Sequence, residues 1–192
     1  MELVVATNNA GKLQEIQALL PAFQLLTLRD IGYTAAIPEP YHTFEQNALT
    51  KASTIYDFCD KMVMADDSGL CVEALHGAPG VISAHYAGLP VNDPENVQKV
   101  LTELQHEASR KAYYIAVICL ITEGGSYFFE GYCHGTIAHE PRGEGGFGYD
   151  PIFIPQGYDQ TFAELPLPVK NTLSHRGIAV RKMVDFLSTI NR

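Results

Sequence analysis

The chain opens with a short apolar run that is followed by helical periodicity. Residues 3–6 are apolar and predict a buried strand, and residues 7–12 are mostly polar. From residue 13 the apolar positions recur every three or four residues until Pro21, as in a helix packed on one side. Strand, polar loop and helix in this order are typical of the start of an α/β protein.

The same alternation continues through the first half of the chain. A second strand is predicted at 23–28, and a helix is predicted from Thr43 with a capping box that ends at Gln46. A short strand at 62–65 is followed by a predicted turn at 66–69. The Gly- and Pro-rich stretch 76–94 predicts a long loop, which ends where Asp93-Pro94 begins a helix.

The second half predicts an antiparallel element. The apolar run 113–122, the turn signal Gly124-Gly125 and the segment 127–134 together predict a hairpin. A short strand at 151–154 and a final helix from about Ser174 to Leu187 complete the chain. We therefore predict an α/β fold with a mixed sheet, in a single domain over residues 1–192.

Composition and charge restrict the possible partners. The chain has 192 residues, with 13 Lys+Arg against 22 Asp+Glu and a formal charge of −9. An acidic chain is a poor candidate for nucleic-acid or membrane-surface binding. The start of the chain does not have the pattern of a signal peptide, and no apolar stretch approaches the ~20 residues of a membrane helix. Cys59, Cys71, Cys119 and Cys133 are widely spaced, which favours reduced thiols in a cytoplasmic protein.

The polar loop after the first strand is a candidate anion site. Backbone N–H groups at a helix N-terminus attract phosphate, and Lys12 adds a full positive charge. The segment is not a Walker A loop, because the first glycine is missing and Leu13 stands where Ser or Thr is needed. An ordinary strand-to-helix turn with a surface lysine explains the same residues.

The adjacent carboxylates Asp66 and Asp67 form a candidate metal site. At the end of a strand their side chains point in opposite directions, so that one can face a cleft while the other braces it. Oxygen ligands suit Mg²⁺, which takes one or two carboxylates together with substrate phosphates. A capped Asp-Ser-Gly turn is the structural alternative.

Two further segments carry donors and aromatic rings. The glycine-rich segment 142–151 includes Phe147 and Tyr149, on which a base can stack, although the rings can instead anchor a flexible loop. The segment 170–176 places several donors around a predicted helix start. Lys51, on the helix predicted from Thr43, is by itself best interpreted as a surface lysine.

Taken in order, these segments resemble the non-standard purine nucleoside triphosphate pyrophosphatases, the inosine/xanthosine triphosphate pyrophosphatase family. The resemblance covers nearly the whole chain and rests on the following segments: 5–12, 43–48 with Lys51-Ala52, 65–70, 77–80, 145–151 and 174–177.

The resemblance implies a fold, a reaction and a set of roles. It implies a long mixed sheet flanked by helices in two lobes with a central nucleotide cleft, a homodimer, and Mg²⁺-dependent hydrolysis of dITP, ITP or XTP to the monophosphate and pyrophosphate. Asp67 matches the catalytic carboxylate and metal ligand, and Ser68 is expected to contact the substrate. The residues expected to hold the triphosphate are Thr7, Asn8, Asn9, Ala10, Gly11, Lys12, Lys51 and Lys170. The residues expected to form the base pocket are Phe147, Gly148, Tyr149, Asp150, His175 and Arg176.

The chain departs from the family at one position and leaves one role open. The family often has two glutamates where this chain has Glu45-Gln46. Either Glu45 replaces the second metal ligand, or Gln46 coordinates Mg²⁺ without charge, or the metal is held by Asp67, water and phosphates. A buried donor, either Arg176 or a backbone N–H, is expected to donate to the 6-oxo group of the purine and to be left unpaired by adenine.

Three alternative functions share some of these features. A pyrophosphatase for modified pyrimidine nucleotides belongs to a related family, whose Ser-Pro-Arg-Arg start is absent here. A phosphoacceptor signalling domain has paired acids too, but at its first strand. Only measured pyrophosphate release distinguishes a nucleotide-binding module without turnover from an enzyme.

Overall fold

The computed structural model describes residues 1–190 and contains six strands and five α-helices. The strands are β1 (Glu2–Val5), β2 (Gln24–Leu26), β3 (Val63–Val72), β4 (Lys111–Thr122), β5 (Gly125–Ile137) and β6 (Phe153–Pro155). The helices are α1 (Ala10–Leu19), α2 (Phe44–Cys59), α3 (Asp93–Glu103), α4 (Leu167–Leu173) and α5 (His175–Ile190).

All six strands belong to one mixed sheet, in the order β2-β1-β3-β4-β5-β6. β1 pairs in parallel with both β2 and β3, and β5 pairs with β6 in antiparallel fashion. β4 and β5 are neighbours joined by only two residues, a link that permits an antiparallel hairpin alone. The predicted α/β class with a mixed sheet is confirmed.

The chain divides into two compact units, each with its own apolar core. The first unit holds residues 1–67, 116–131 and the described part of 176–192, and the second holds 68–115 and 132–175. The first core consists of Leu3, Val5, Ile16, Leu20, Met64, Ala116, Ile118, Leu120, Ala179, Val180, Met183 and Leu187. The second core includes Leu70, Val72, Val97, Val100, Leu104, Tyr114, Tyr149, Ile152, Phe153 and Phe162.

Side-chain caps fix where two of the helices begin. The Asn9 side chain accepts a hydrogen bond from the backbone N–H of Lys12, which starts α1. Thr43 accepts one from the backbone N–H of Gln46, which starts α2. Both pairings satisfy donors that a helix N-terminus leaves without an intrahelical partner. The predicted capping box at Thr43 is confirmed.

The carboxylate pair lies inside a strand and not at its end. The predicted strand at 62–65 with a turn at 66–69 is wrong, because β3 continues to Val72. β3 lies between β1 and β4 and is buried along nearly its whole length, so hydrogen bonds on both sides override the local turn signal of Asp-Ser-Gly.

Two segments contain more regular structure than the sequence predicts. Residues 80–85 form 3₁₀ turns inside the predicted loop 76–94. The prediction also missed α4, a helix of seven residues that follows Pro166, so Lys170 lies within a helix and not before one. Short helices that open with prolines resemble loops in a sequence. Ser174 ends α4 and directly precedes α5.

No helix within residues 1–190 combines the length and the apolar character that a membrane crossing requires.

Candidate active site

The start of α1 offers an open set of backbone donors. Asn8, Asn9 and Ala10 are exposed, and Asn9 donates its backbone N–H to the Thr7 hydroxyl at 3.1 Å. Because the helix axis begins here, the N-terminal partial charge of α1 lies at the surface beside Lys12. The predicted strand, polar loop and helix N-terminus are confirmed at this place.

A chain of buried charges lies behind Lys12. The Lys12 ammonium contacts Asp66 Oδ2 at 2.7 Å, and Arg176 Nη2 contacts the same oxygen at 3.2 Å. Arg176 Nη1 also donates to Glu15. Asp66, Arg176 and Glu15 are almost inaccessible to solvent, so two positive and two negative groups compensate one another without water.

These contacts determine the ionisation of Asp66. Burial alone raises the pKa of a carboxyl, but the positive charges of Arg176 and Lys12 outweigh burial and hold the pKa of Asp66 well below its usual range. Burial also lowers the pKa of Lys12, in spite of the favourable contact with Asp66. Asp66 therefore stays ionised and holds Lys12 at the N-terminus of α1.

Asp67 belongs to a second, separate group of charges. Its Oδ1 accepts from the Lys51 ammonium at 3.0 Å, and Lys51 also contacts Glu39 Oε2 at 3.2 Å. Lys51 is buried and not a surface lysine, since only 7% of its side chain is exposed. No described residue donates a hydrogen bond to the buried Oδ2 of Asp67. One carboxylate oxygen is thus held by a lysine while the other is available.

The electrostatics of Asp67 differ from those of its neighbour. Burial raises the pKa of Asp67, and the lysines Lys51 and Lys12 offset only part of that effect. At Lys51, burial works against the charged form, but the carboxylates of Asp67 and Glu39 outweigh it and raise the pKa. Adjacent aspartates with opposite pKa shifts are typical of a site in which one carboxylate is structural and one is reactive.

The second metal ligand expected from the sequence lies on the exposed first turn of α2. Glu45 and Gln46 are exposed in the first turn of α2, where the Gln46 side chain accepts from the Thr43 hydroxyl at 3.0 Å. Gln46 therefore caps the helix. The carboxylate that the structure brings to the Asp67–Lys51 pair is Glu39, whose side chain is 47% exposed.

The described residues do not contain a ready-made metal centre. Within residues 1–190, no three His, Cys, Asp or Glu side chains are grouped closely enough to hold a metal ion. The donors nevertheless fit a hard cation that keeps water and phosphate ligands. Asp67 Oδ2 is a buried carboxylate oxygen to which no residue of 1–190 donates a hydrogen bond. Glu39 is a second carboxylate, in contact with the same Lys51.

The glycine-rich loop of the second unit is organised by Asp150. Its Oδ2 accepts from the Lys170 ammonium at 2.5 Å and from the Phe147 backbone N–H at 2.9 Å. A Cβ on Gly146 would lie 2.0 Å from the same oxygen, and Gly146 has a φ of +72°, so only glycine fits there. Lys170, which is expected to hold the triphosphate, is buried and contacts the Asp150 carboxylate and the rings of Phe147 and Phe162.

The other residues expected at the base pocket are mostly buried. Tyr149 donates its hydroxyl to the Ser83 carbonyl at 2.7 Å and packs in the second core. The His175 ring stacks on Tyr114, with 4.5 Å between ring centroids. Phe147 and Ser68 are half-buried. Phe147 thus keeps an accessible ring, whereas Tyr149 anchors the loop to the core.

Three acidic residues near these groups were not identified from the sequence. Glu15 pairs with Arg176, Glu39 pairs with Lys51, and Asp93 accepts the backbone N–H of Gly148. Only Glu39 had a local signal, since it stands between two prolines in a segment otherwise poor in charge. The partners of the other two are far away in the chain.

Known proteins are similar to this chain over nearly its whole length. The model of the Ham1 family matches residues 3–186. Proteins called dITP/XTP pyrophosphatase from Flavobacterium johnsoniae and Porphyromonas gingivalis are 46% and 48% identical, over 98% and 97% of both chains. The Ham1 protein of Staphylococcus aureus has a TM-score of 0.89 at 36% identity, and a HAM1 protein of Coxiella burnetii has 0.89 at 38%. Each match covers 98% of this chain and 99% of the other. The chain belongs to the Ham1 family.

Proposed function

We propose that this protein hydrolyses non-standard purine nucleoside triphosphates, namely dITP, ITP and XTP, to the monophosphate and pyrophosphate, with Mg²⁺ as cofactor. One observation carries the proposal: Asp67 is buried, one of its oxygens is held by Lys51, and the other oxygen has no hydrogen-bond donor among residues 1–190. The relatives named dITP/XTP pyrophosphatase support the substrate class.

Binding of the triphosphate is assigned to the first unit. The exposed N-terminus of α1 with residues 7–11 supplies backbone donors, and Lys12 supplies a charge that Asp66 holds in place. Lys51 supplies a second ammonium next to Asp67. Phosphoryl transfer depends mainly on positioning and charge neutralisation, which is what these fixed donors provide.

Asp67 acts on the attacking water. Its free oxygen positions the water or accepts its proton as the water attacks the α-phosphorus and pyrophosphate leaves. Mg²⁺, held by Asp67 and Glu39, would neutralise phosphate charge and lower the pKa of bound water. The Lys51 ammonium contacts both carboxylates, Asp67 Oδ1 at 3.0 Å and Glu39 Oε2 at 3.2 Å.

Recognition of the base is assigned to the loop of the second unit. Phe147 offers a half-exposed ring for stacking, and Asp150 fixes the backbone of the loop. His175, Gly148 and Ser68 complete this part of the proposal. Tyr149 contributes through its buried anchor on Ser83 and not by stacking.

The test is pyrophosphate release from dITP, XTP, ATP and dGTP, each with and without Mg²⁺. We expect metal-dependent release from dITP and XTP, with little from ATP and dGTP. Release from modified pyrimidine triphosphates instead, or tight nucleotide binding without any release, would replace this function by one of its alternatives.

Substitutions of Glu39 and Glu45 are expected to have different effects on the Mg²⁺ dependence. We expect Glu39→Gln to lower the rate of pyrophosphate release about tenfold or more and to raise the Mg²⁺ concentration needed for half-maximal rate, because a negative charge beside Asp67 is lost. Glu45→Gln is the matched control on the exposed first turn of α2 and should leave both quantities unchanged. A metal dependence that moves in Glu45→Gln but not in Glu39→Gln would restore Glu45 as the ligand.

A homodimer in the cytoplasm is part of the same proposal. The family resemblance supports the dimer, and four free cysteines are consistent with a reducing compartment. Sedimentation velocity of the purified protein tests the dimer directly, since a monomer and a dimer of a 21.1 kDa chain are well separated.

A further inference from the structure

The loop that carries Phe147 has a backbone conformation that needs external support. Gly146 and Gly148, on either side of Phe147, both have left-handed conformations with φ of +72° and +59°. Glycine adopts this region without strain, but it also loses more conformational freedom on ordering than any other residue. The position of the Phe147 ring therefore depends on contacts that hold the two flanking peptides.

Two carboxylates from different elements bind successive N–H groups of this loop. The Phe147 N–H donates to Asp150 Oδ2 at 2.9 Å, and the Gly148 N–H donates to Asp93 Oδ2 at 2.8 Å. Hydrogen bonds to a carboxylate are shorter and stronger than those between neutral groups. Asp150 belongs to the loop itself and to the proposed base pocket, whereas Asp93 lies 55 residues earlier in the chain.

Asp93 is well suited to act as a fixed anchor. It is the first residue of α3, whose N-terminus is capped by Asn92. The same helix is held to the preceding segment by Asn96, which accepts from Ala87 N–H at 2.7 Å and donates to the Ala84 carbonyl at 3.0 Å. Because Asn96 is buried, α3 cannot shift without breaking these bonds. Its first residue therefore presents the carboxylate from a rigid support.

We infer that Asp93 is a positioning residue for base recognition: its carboxylate holds the Gly148 peptide and thereby fixes the Phe147 ring in the orientation that stacks on the purine. This inference rests on the proposed function, because it assigns Asp93 a role in substrate affinity. Asp93 touches no reacting atom in this scheme. Its removal should weaken binding of the base and leave the chemical step nearly intact.

The experiment compares Asp93→Ala, Asp93→Asn and Glu95→Ala with the wild-type protein. We expect Asp93→Ala to raise KM for dITP roughly tenfold with kcat within about twofold, since a charge-assisted hydrogen bond is lost. Asp93→Asn keeps an acceptor oxygen and should restore part of the affinity. Glu95→Ala removes the same charge from the same helix turn and should leave KM unchanged, because Glu95 contacts Asn92 and not the loop.

A second readout follows the hydrogen bond itself. Amide hydrogen exchange of Gly148, measured by NMR, should be fast in Asp93→Ala and slow in both the wild type and Glu95→Ala. A wild-type KM in Asp93→Ala, or an equal rise of KM in Glu95→Ala, would overturn the inference. A wild-type protein that releases no pyrophosphate from dITP would overturn the proposed function instead, whatever the exchange rate of Gly148.

Discussion

Replacing Asp67 with asparagine is expected to lower the rate of pyrophosphate release from dITP by on the order of 10²-fold or more. The loss of thermal stability should be smaller than for the same change at Asp66, because Lys51 keeps its contact with Glu39. Asparagine has nearly the same size, so the packing of β3 is preserved. It cannot accept a proton from water at neutral pH, and it removes the charge that pairs with Lys51. The measurement is the steady-state rate with saturating Mg²⁺, together with the melting temperature.

The adjacent aspartate is the matched control. Asp66→Asn makes the same chemical change one residue earlier, on the side of β3 where Lys12 and Arg176 lie. We expect this variant to lose stability, because two buried cations lose their shared counter-ion. Near-normal turnover by Asp67→Asn would remove Asp67 from the mechanism. Equal loss of stability in both variants would contradict the separate roles assigned to the two carboxylates.

Replacing Arg176 with methionine is expected to destabilise the fold by about 3–5 kcal/mol. The substitution leaves Glu15 and Asp66 buried without their shared cation, and the guanidinium side chain is only 2% exposed. In a protein of this size, each kcal/mol lowers the melting temperature by about 2–4 °C. Thermal and urea unfolding of the two proteins would measure the difference.

A double variant separates the ion pair from simple packing. Glu15→Gln combined with Arg176→Met should be less destabilising than the sum of the single changes, because the pair of buried charges disappears together. Arg181→Met, an exposed position on the same helix, should change the free energy of unfolding by no more than about 0.5 kcal/mol. Strict additivity of the two single changes would show that Glu15 and Arg176 do not interact energetically.

The contacts of Arg176 bear on how the purine base is selected. The sequence favoured Arg176 as the donor that distinguishes a 6-oxo purine from adenine. In the structure its terminal nitrogens contact Glu15 and Asp66, and Asp66 also contacts Lys12. We therefore propose that Arg176 positions Lys12 through Asp66. If Arg176 read the base, its loss would narrow the ratio of rates for ITP and ATP. With the role assigned here, that ratio stays constant while stability falls.

Much of the fold and part of the site followed from the sequence alone. Most of the order of strands and helices, and the capping of α2 at Thr43, depend on contacts within about four residues. Local patterns also indicated a candidate anion site at residues 7–12 and a candidate metal site at Asp66 and Asp67, and both assignments stay predictions. Such features are encoded where they occur, so periodicity and capping are sufficient to find them.

Only the tertiary structure decided what each charged side chain does. Glu15 and Arg176 are separated by 161 residues and meet because α1 and α5 pack in the same core. The lysines predicted to bind phosphate divide into Lys12 and Lys51, next to the carboxylates of β3, and Lys170, buried against Asp150. Which carboxylate a lysine pairs with depends on which distant element lies beside it, and local sequence patterns contain no information about that.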